Sequence, residues 1–318
     1  MDVISIGETM VLFTPEAPGQ LRYSRNYSSK IAGAETNTLI GLSKLGHRTG
    51  WIGQVGADEF GAFILSTVRG EGVDTSQVLK NEKAPTGVFF KELLNEDNVR
   101  IQYYRKGSAA SFIAPDQVSE DYLAKAQYLY LTGITPALSE SCKEAVFYAI
   151  EAAKRLGKTI VFDPNIRHKL WGDEEARKTL LAIVEKVDIM LPGVAEGEFL
   201  FGTKNVPKMA EHLHKRGVKT VVMKLGKKGA YLSTEFEQKF IPGFKVSKVV
   251  DPVGAGDGFS AGFLSGLLDG LSLEESVKRA CAVGAMVITV SGDIEGLPDR
   301  ERLDDFMRAS TTAERVSR

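Results

Sequence analysis

An α/β fold, a mainly parallel sheet flanked by helices with a small second β-sheet as a lid, is predicted by three observations. Across 128–224, short apolar β-rich runs alternate with longer stretches of helical period: "YLYLTG", then 139–156, "TIVFD", then 173–186, "VDIMLP", then 206–216, "TVVMKLG". That rhythm is the pattern of successive βαβ units in a parallel sheet. The runs 160–162 and 221–223 are apolar without interruption, as strands covered by helices on both faces must be. Two stretches break the rhythm, "GQLRYSRNYSSKIAG" and "TGVFFKELLNEDNVRIQYYRKGSAAS", which are polar and aromatic.

In chain order, "VISIG" opens the first strand. The first irregular stretch, about 12–33, supplies lid strands. "ETNTLIGLSKLG" reads as an amphipathic helix closed by Gly46. The second stretch, about 86–113, carries a hairpin pattern with "NEDN" as its turn. These strands form either a separate lid or an ordinary edge extension of the main sheet. The βαβ rhythm follows, then "SKVV" (247–250), read as a strand leading into "DPVGAGDGFSAG". A helix is expected from about Ala255 through "GDGFSAGFLSGLLDG", and the polar tail from Thr311 is expected to fray. The length of 318 residues allows two domains, but with no linker or repeat in view one elaborated domain over 1–318 is expected.

Composition narrows the function class. A hydrophobic content of 43%, a charged content of 25% and a formal net charge of -1 describe an ordinary globular protein with no general attraction for nucleic acid. Cys142 and Cys281 stand far apart without metal or redox spacing, which fits a reducing compartment. His212 and His214 are two apart on a helix and diverge, so they make no metal pair. The N-terminus lacks a basic segment with a cleavage site, and the longest apolar run, near "ACAVGAMVITV", is too short for a bilayer. A cytoplasmic protein with no membrane partner is expected.

Ligands of open α/β sheets sit beyond the carboxyl ends of the strands. After "TIVF" come Asp163, Pro164, Asn165, Ile166 and Arg167; after "TVVM", Lys224, Leu225 and Gly226; after "YLYL", Thr132, Gly133 and Ile134; after "SKVV", the glycine-rich motif. Polar residues and glycines thus gather on one rim. In the motif, Gly256, Gly258 and Ala261 satisfy the dinucleotide pattern G-x-G-x-x-A, yet that fingerprint belongs in an early βαβ unit with an acid about twenty residues on. Asp257 would also repel a resting pyrophosphate. A phosphoryl group in transfer is different: free N–H groups at the helix start stabilise it, while a carboxylate accepts the proton of the attacking hydroxyl. A plain capping role for Asp257 is the competing reading. No Walker A or protein-kinase motif occurs.

At these residues the chain resembles the ribokinase-like carbohydrate kinases, the phosphofructokinase B family, over essentially its full length. The N-terminal signature corresponds to "AGAETNTLIGLSKLGHRTGWIGQVGADEFG", with Gly33, Asn37, Gly53, Gly56, Asp58 and Gly61 in place. The C-terminal signature is "DPVGAGDGFSAGFLSG", with G-A-G-D intact at 254–257. The resemblance implies a ribokinase-like, doubly wound fold, Asp257 as catalytic base, and Gly254, Ala255 and Gly256 as the anion hole. It further implies ATP as donor with Mg²⁺ on its phosphates. Asn165, Arg167, Lys224, Leu225, Gly226, Gly229 and Ala230 would lie along the nucleotide, with "KLGKKGA" as its loop. Glu196 matches the acid of the family's N-x-x-E motif, which organises Mg²⁺ and its waters. Gly193 stands where that motif has Asn, so a solvated helix-start acid is the alternative. Asp251 is open between a monovalent cation such as K⁺ and helix-start packing.

The lid holds the clue to the acceptor. By strand alternation Ile101, Tyr103 and Arg105 share one face and Arg100, Gln102 and Tyr104 the other. Arg105 either reaches water at the lid edge or binds an anion, and the Arg fork suits a carboxylate. "YYR" with "DPNIR" is similar to the family's kinases of 2-keto-3-deoxy sugar acids. That resemblance places Gly33, Ala34, Glu35, Thr36, Asn37, Tyr103, Tyr104, Arg105, Ile134, Arg167 and Asp293 around a sugar acid whose 6-hydroxyl faces Asp257. Fructokinases and 5-dehydro-2-deoxygluconate kinases share "DPN" and "GAGD" and are the rivals; a non-catalytic sensor on the same scaffold is the remote one. Exposed lid edges invite pairing between two copies of the chain.

Overall fold

Runs rich in Val, Ile, Tyr and Phe form the strands, and the computed structural model describes residues 1–95 and 98–316. The strands are β1 Val3–Ile6, β2 Met10–Pro15, β3 Tyr27–Ala32, β4 Thr49–Gly56, β5 Asp74–Asn81, β6 Val88–Asn95 and β7 Asn98–Tyr104. They continue with β8 Tyr128–Thr132, β9 Thr159–Asp163, β10 Ile189–Met190, β11 Thr220–Lys224, β12 Ala230–Ser233 and β13 Gln238–Ile241. The main sheet has the order β13-β12-β11-β10-β9-β8-β1-β4-β5. From β11 to β5 all neighbours are parallel, and only β12 and β13 run antiparallel at one edge.

Alternation along β1 shows how the core divides. Val3 faces a layer built with the helices Ala255–Leu268 and Leu273–Val287, whereas Ile4 and Ile6 face the layer of Glu140–Arg155 and Asp173–Val184. Helices therefore cover both faces, as the uninterrupted apolar runs require. The helices of the βαβ rhythm lie where periodicity placed them, each within two residues at either end.

The second sheet, in the order β3-β2-β6-β7, is separate, and the edge-extension alternative falls because none of its strands pairs with the nine of the main sheet. Its own small core is Met10, Leu12, Ala32 and Phe89. The lid begins at Met10 rather than near residue 12, and it ends at Tyr104. Beyond Tyr104 the chain enters the main body, where Ala110 and Ile113 are buried against the layer of Glu140–Arg155. The β6–β7 hairpin is present; Glu96 and Asp97 of its expected turn lie outside the described residues.

Two expectations fail. The segment 247–250 is not a strand: Val249 and Val250 are 54% and 49% exposed. The hairpin β12–β13 takes the sheet edge beside β11, so "SKVV" has no neighbour to pair with despite its β-branched residues. The helix Ala34–Lys44 forms as expected, with Gly46 just beyond it at φ 88°, but it is not amphipathic. Every residue from Ala34 to Leu42 is buried, because the helix Ala255–Leu268 packs on its outer side. A Cβ on Gly41 would lie 2.8 Å from the Cβ of Ala261.

Candidate active site

The glycines of "DPVGAGDGFSAGFLSG" divide into two kinds of work. Gly254 is the N-cap of the helix Ala255–Leu268 and holds the left-handed conformation, φ 80° and ψ -11°. A side chain there would be strained and would also meet the carbonyl oxygen of Asp293 at 2.8 Å. Gly258, Gly262 and Gly266 recur every fourth residue and let the helix Leu273–Val287 approach. A Cβ on Gly262 or Gly266 would sit 2.8 or 2.6 Å from the Cα of Ala280 or Ser276. Of the residues that match a dinucleotide fingerprint, Gly258 faces Val283 and Val287 and Ala261 faces Gly41, so both serve helix packing. What remains for chemistry is the helix start, whose first N–H groups have no partner within the helix and carry the positive end of its dipole.

Asp257 lies in that first turn, only 7% exposed. One carboxylate oxygen, Oδ2, accepts a hydrogen bond from Asn37 Nδ2 at 2.8 Å. Burial, helped by the nearby carboxylates of Asp163 and Asp293, pushes its pKa up to about 7, against the opposing effects of Asn37 and Arg167. A carboxylate that titrates near neutrality suits a general base.

In front of Asp257 opens a cavity of about 340 Å³, walled by the main sheet's rim on one side and the lid on the other. Gly33, Ala34, Glu35 and Asn37 line its floor from the start of the helix Ala34–Lys44. Gly33 is required by close approach, since a Cβ there would lie 2.4 Å from the carbonyl oxygen of Glu8. Glu35 is fully buried; its Oε1 accepts from Thr132 Oγ1 at 2.6 Å and Thr135 Oγ1 at 2.7 Å, and burial pushes its pKa up. Ile134, Asp293, the lid residues Phe89, Ile101 and Tyr103, and Arg105 just beyond the last lid strand also line it.

The two arginines differ. Arg105 is buried and donates from Nε to Glu8 Oε2 at 2.8 Å, with a second contact from a terminal nitrogen to the same oxygen. Glu8, 2% exposed, also accepts from Ser108 Oγ at 2.6 Å. Arg105 therefore does not reach water at the lid edge: it is buried, lines the cavity and has much of its charge neutralised by Glu8. Arg167 lines the same cavity and has no hydrogen bond or ion pair to its side chain among the described residues. It follows Asn165, a non-glycine residue at φ 36°, which turns the loop after β9 across the rim.

On the far side of Asp257, Lys224 at the end of β11 donates to Asp163 Oδ2 at 2.7 Å. Burial alone would lower the lysine's pKa, but Asp163, Glu196 and Asp257 together hold it above its ordinary value, so it is a fixed positive charge. Its Nζ lies 3.6 Å from where a Cβ of Gly256 would be. Asp163 is fully buried, and its Oδ1 has no hydrogen-bond partner among the described residues. Glu196 is not a solvated acid: Oε2 accepts from Gly193 N at 2.6 Å and Oε1 from Ile166 N at 3.1 Å. It caps the helix Val194–Phe201 while tying down the loop that presents Arg167. Gly193 takes the place of Asn without losing that cap.

The structure does not bring every expected residue to the cavity. Thr36 turns away and bonds Thr9 Oγ1 and the Gly33 carbonyl. Tyr104, 61% exposed, stands on the other face of β7 against Phe90, as strand alternation dictates. Leu225, Gly226, Gly229 and Ala230 follow Lys224 outside the cavity, around a turn closed by Leu225 N to the Gly229 carbonyl at 2.9 Å. Ala230 is wholly buried in β12, so its side chain can touch no nucleotide. Ala255 is the first helical residue and contributes its N–H. Asp251 accepts from Lys91 Nζ at 2.8 Å and from Val253 N at 3.1 Å, a pairing that fits the helix-start reading of this acid. Among the described residues no three His, Cys, Asp or Glu side chains gather as a metal site, and no helix is long and apolar enough to cross a membrane.

Sequence reading missed Glu8, Lys91 and, as a site residue, Asp163. Glu8 and Asp163 sit at the carboxyl ends of β1 and β9, the rim already singled out; Lys91 shares the inward face of β6 with Phe89.

Comparison with known proteins agrees with this geometry. The family model described as pfkB family carbohydrate kinase matches residues 1–300. A 2-dehydro-3-deoxygluconokinase of Bacillus subtilis (strain 168) is 41% identical over 314 residues, 98% of this chain and 97% of that protein. One from Thermoproteus tenax is 35% identical, covering 97% of this chain and 95% of that protein. The crystal structure of a putative ribokinase II from E. coli in complex with ATP and Mg²⁺ superposes with a TM-score of 0.90 at 26% identity, over 97% of this chain and 99% of that one. With the family model matched over residues 1–300 and a relative 41% identical over nearly the whole of both chains, the chain belongs to the pfkB family of carbohydrate kinases.

Proposed function

We propose that this chain transfers the γ-phosphoryl group of ATP to the 6-hydroxyl of 2-dehydro-3-deoxy-D-gluconate. The observation that carries the acceptor is Arg167, a guanidinium that lines the cavity and has no side-chain hydrogen bond or ion pair among the described residues. A neutral sugar has no use for that charge, whereas a carboxylate accepts its two parallel hydrogen bonds. Arg105, held by Glu8 just beyond the last lid strand, offers its remaining N–H groups.

The residues fit the phosphate end of ATP. The N–H groups of Ala255 and Gly256 and Oδ1 of Asp163, which have no partner among the described residues, lie near Asp257 together with the Lys224 ammonium. Asp163 and Glu196, through water, would hold Mg²⁺, which draws charge from the phosphate oxygens. Asp257 accepts the proton of the 6-hydroxyl as its oxygen bonds to phosphorus and the bond from phosphorus to the ADP oxygen breaks. The helix start and Lys224 stabilise the charge on the transferring oxygens. The lid strands, closing over the acceptor, exclude the water that would otherwise compete with it.

Coupled measurement of ADP release tests this. The wild-type protein should prefer the keto-deoxy acid to fructose. Arg167→Ala should raise KM for the acid by about tenfold or more, the worth of one charged hydrogen-bonded contact, and leave fructose nearly untouched. An equal loss on both acceptors removes the carboxylate assignment.

A further inference from the structure

Lys91 is a lysine in the interior of a lid strand, 4% exposed, and a buried ammonium is costly unless it is paired. It projects from the same face of β6 as Phe89 onto two carboxylates of the main body, Asp251 Oδ2 at 2.8 Å and Asp293 Oδ1 at 3.6 Å. Neither belongs to the lid, and both touch the start of the catalytic helix. Asp251 Oδ1 accepts from Val253 N, so the same carboxylate shapes the turn that ends at Gly254. The backbone of Asp293 packs on Gly254 closely enough to exclude a Cβ. A second lid lysine repeats the arrangement: Lys30 on β3 donates to the Ser291 carbonyl at 2.8 Å and pairs with Glu295 at 3.5 Å. The lid is thus tied at two points to the loops that wall the helix start.

We infer that Lys91 is a positioning residue through which the lid's placement over the acceptor sets the orientation of the Gly254–Asp257 helix start. The inference rests on the reading of that helix start as the anion hole. It explains why a lysine is buried under a sheet whose other inward residues on β6 and β7 are Phe89, Ile101 and Tyr103. With Lys91 in place, Asp251 is fixed and the turn through Gly254 has one geometry. Without it, the half-buried Asp251 and the buried Asp293 lose their counter-charge and the turn is free to relax.

The test compares Lys91→Met, Asp251→Asn and the double variant with wild type, by ADP release and by amide hydrogen exchange over 250–258 without nucleotide. Each single variant should lower kcat by about tenfold, the scale of coupling carried by such a contact, with both KM values within about threefold. Exchange at the helix start should quicken in each. The double variant should be no worse than either single one, since both break the same link. If Lys91→Met does not fold, Asp251→Asn carries the same prediction, because there Lys91 keeps Asp293. Wild-type kcat and unchanged exchange in a folded variant, or losses that multiply in the double variant, overturn the inference. Turnover retained by Asp257→Asn would instead overturn the catalytic reading and leave the exchange result standing.

Discussion

Replacing Asp257 with Asn should abolish turnover and at the same time stabilise the fold. The buried carboxyl titrates at about 7 instead of its ordinary 3.8, a difference of about 3 units. At about 1.4 kcal/mol per unit, the ionised form lowers folded stability by up to about 4 kcal/mol. The sign follows from proton counting. Between pH 4 and 7 the native state holds a proton at Asp257 that the unfolded state has released, so stability falls as pH rises through this window and is level above it. The amide of the variant has no such proton and nearly the same shape, and Asn37 can still donate to its oxygen. The gain of the variant over wild type should therefore be near zero at pH 4, about half complete near pH 5.5, and full at pH 8. Urea unfolding followed by fluorescence of the buried Trp51 measures it. Part of that cost is the repulsion of Asp257 by the Asp163 and Asp293 charges, which the shift already contains. Equal stability of the two proteins at pH 8 would overturn this expectation, because it would mean that the site does not hold the carboxyl away from its ordinary range. Loss of activity with gain of stability is the mark of a group kept for chemistry.

Two further substitutions probe the same machinery. Asn37→Ala removes the hydrogen bond that favours the Asp257 carboxylate, a charged bond worth about 1.5–3 kcal/mol; the acid limb of the pH profile of kcat/KM should move upward by about 1–2 units from near 7, and an unmoved limb would mean that Asp257 is not the group it reports. Gly254→Ala forces a Cβ into a left-handed residue and against Asp293, so thermal unfolding should show a loss of at least about 1–2 kcal/mol together with reduced turnover; full activity in that variant would show that the cap geometry is dispensable.

Periodicity made the main sheet legible because βαβ units repeat a local pattern, and uninterrupted apolar runs such as 160–162 reflect cover on both faces. Local pattern failed where the outcome depended on distant neighbours. "SKVV" has the residues of a strand but no partner, since the hairpin β12–β13 holds the edge. The helix Ala34–Lys44 carries Glu35, Thr36, Asn37 and Thr38, which suggest an exposed face. In the structure these polar side chains bond inward, to Thr132 and Thr135, to Thr9, to Asp257 and to the Ala34 carbonyl. The site was legible in part for the same reason. Asp257, Gly254 and Arg167 lie in short motifs on one rim. The partners that decide their behaviour do not: Glu8 meets Arg105 across 97 residues of chain, and Lys91 meets Asp251 across 160. Arg105 and Arg167 look alike in sequence, and only the position of Glu8 shows that one is largely neutralised and the other is not.

The most direct test of a sugar-acid kinase is ADP release by the wild-type protein and by Arg167→Ala, each with 2-dehydro-3-deoxy-D-gluconate, gluconate, fructose and ribose as acceptor. The highest kcat/KM is expected for the keto-deoxy acid, and it should be lost selectively in the variant. Equal or greater turnover of fructose by the wild-type protein, unaffected by the loss of Arg167, would contradict the assignment.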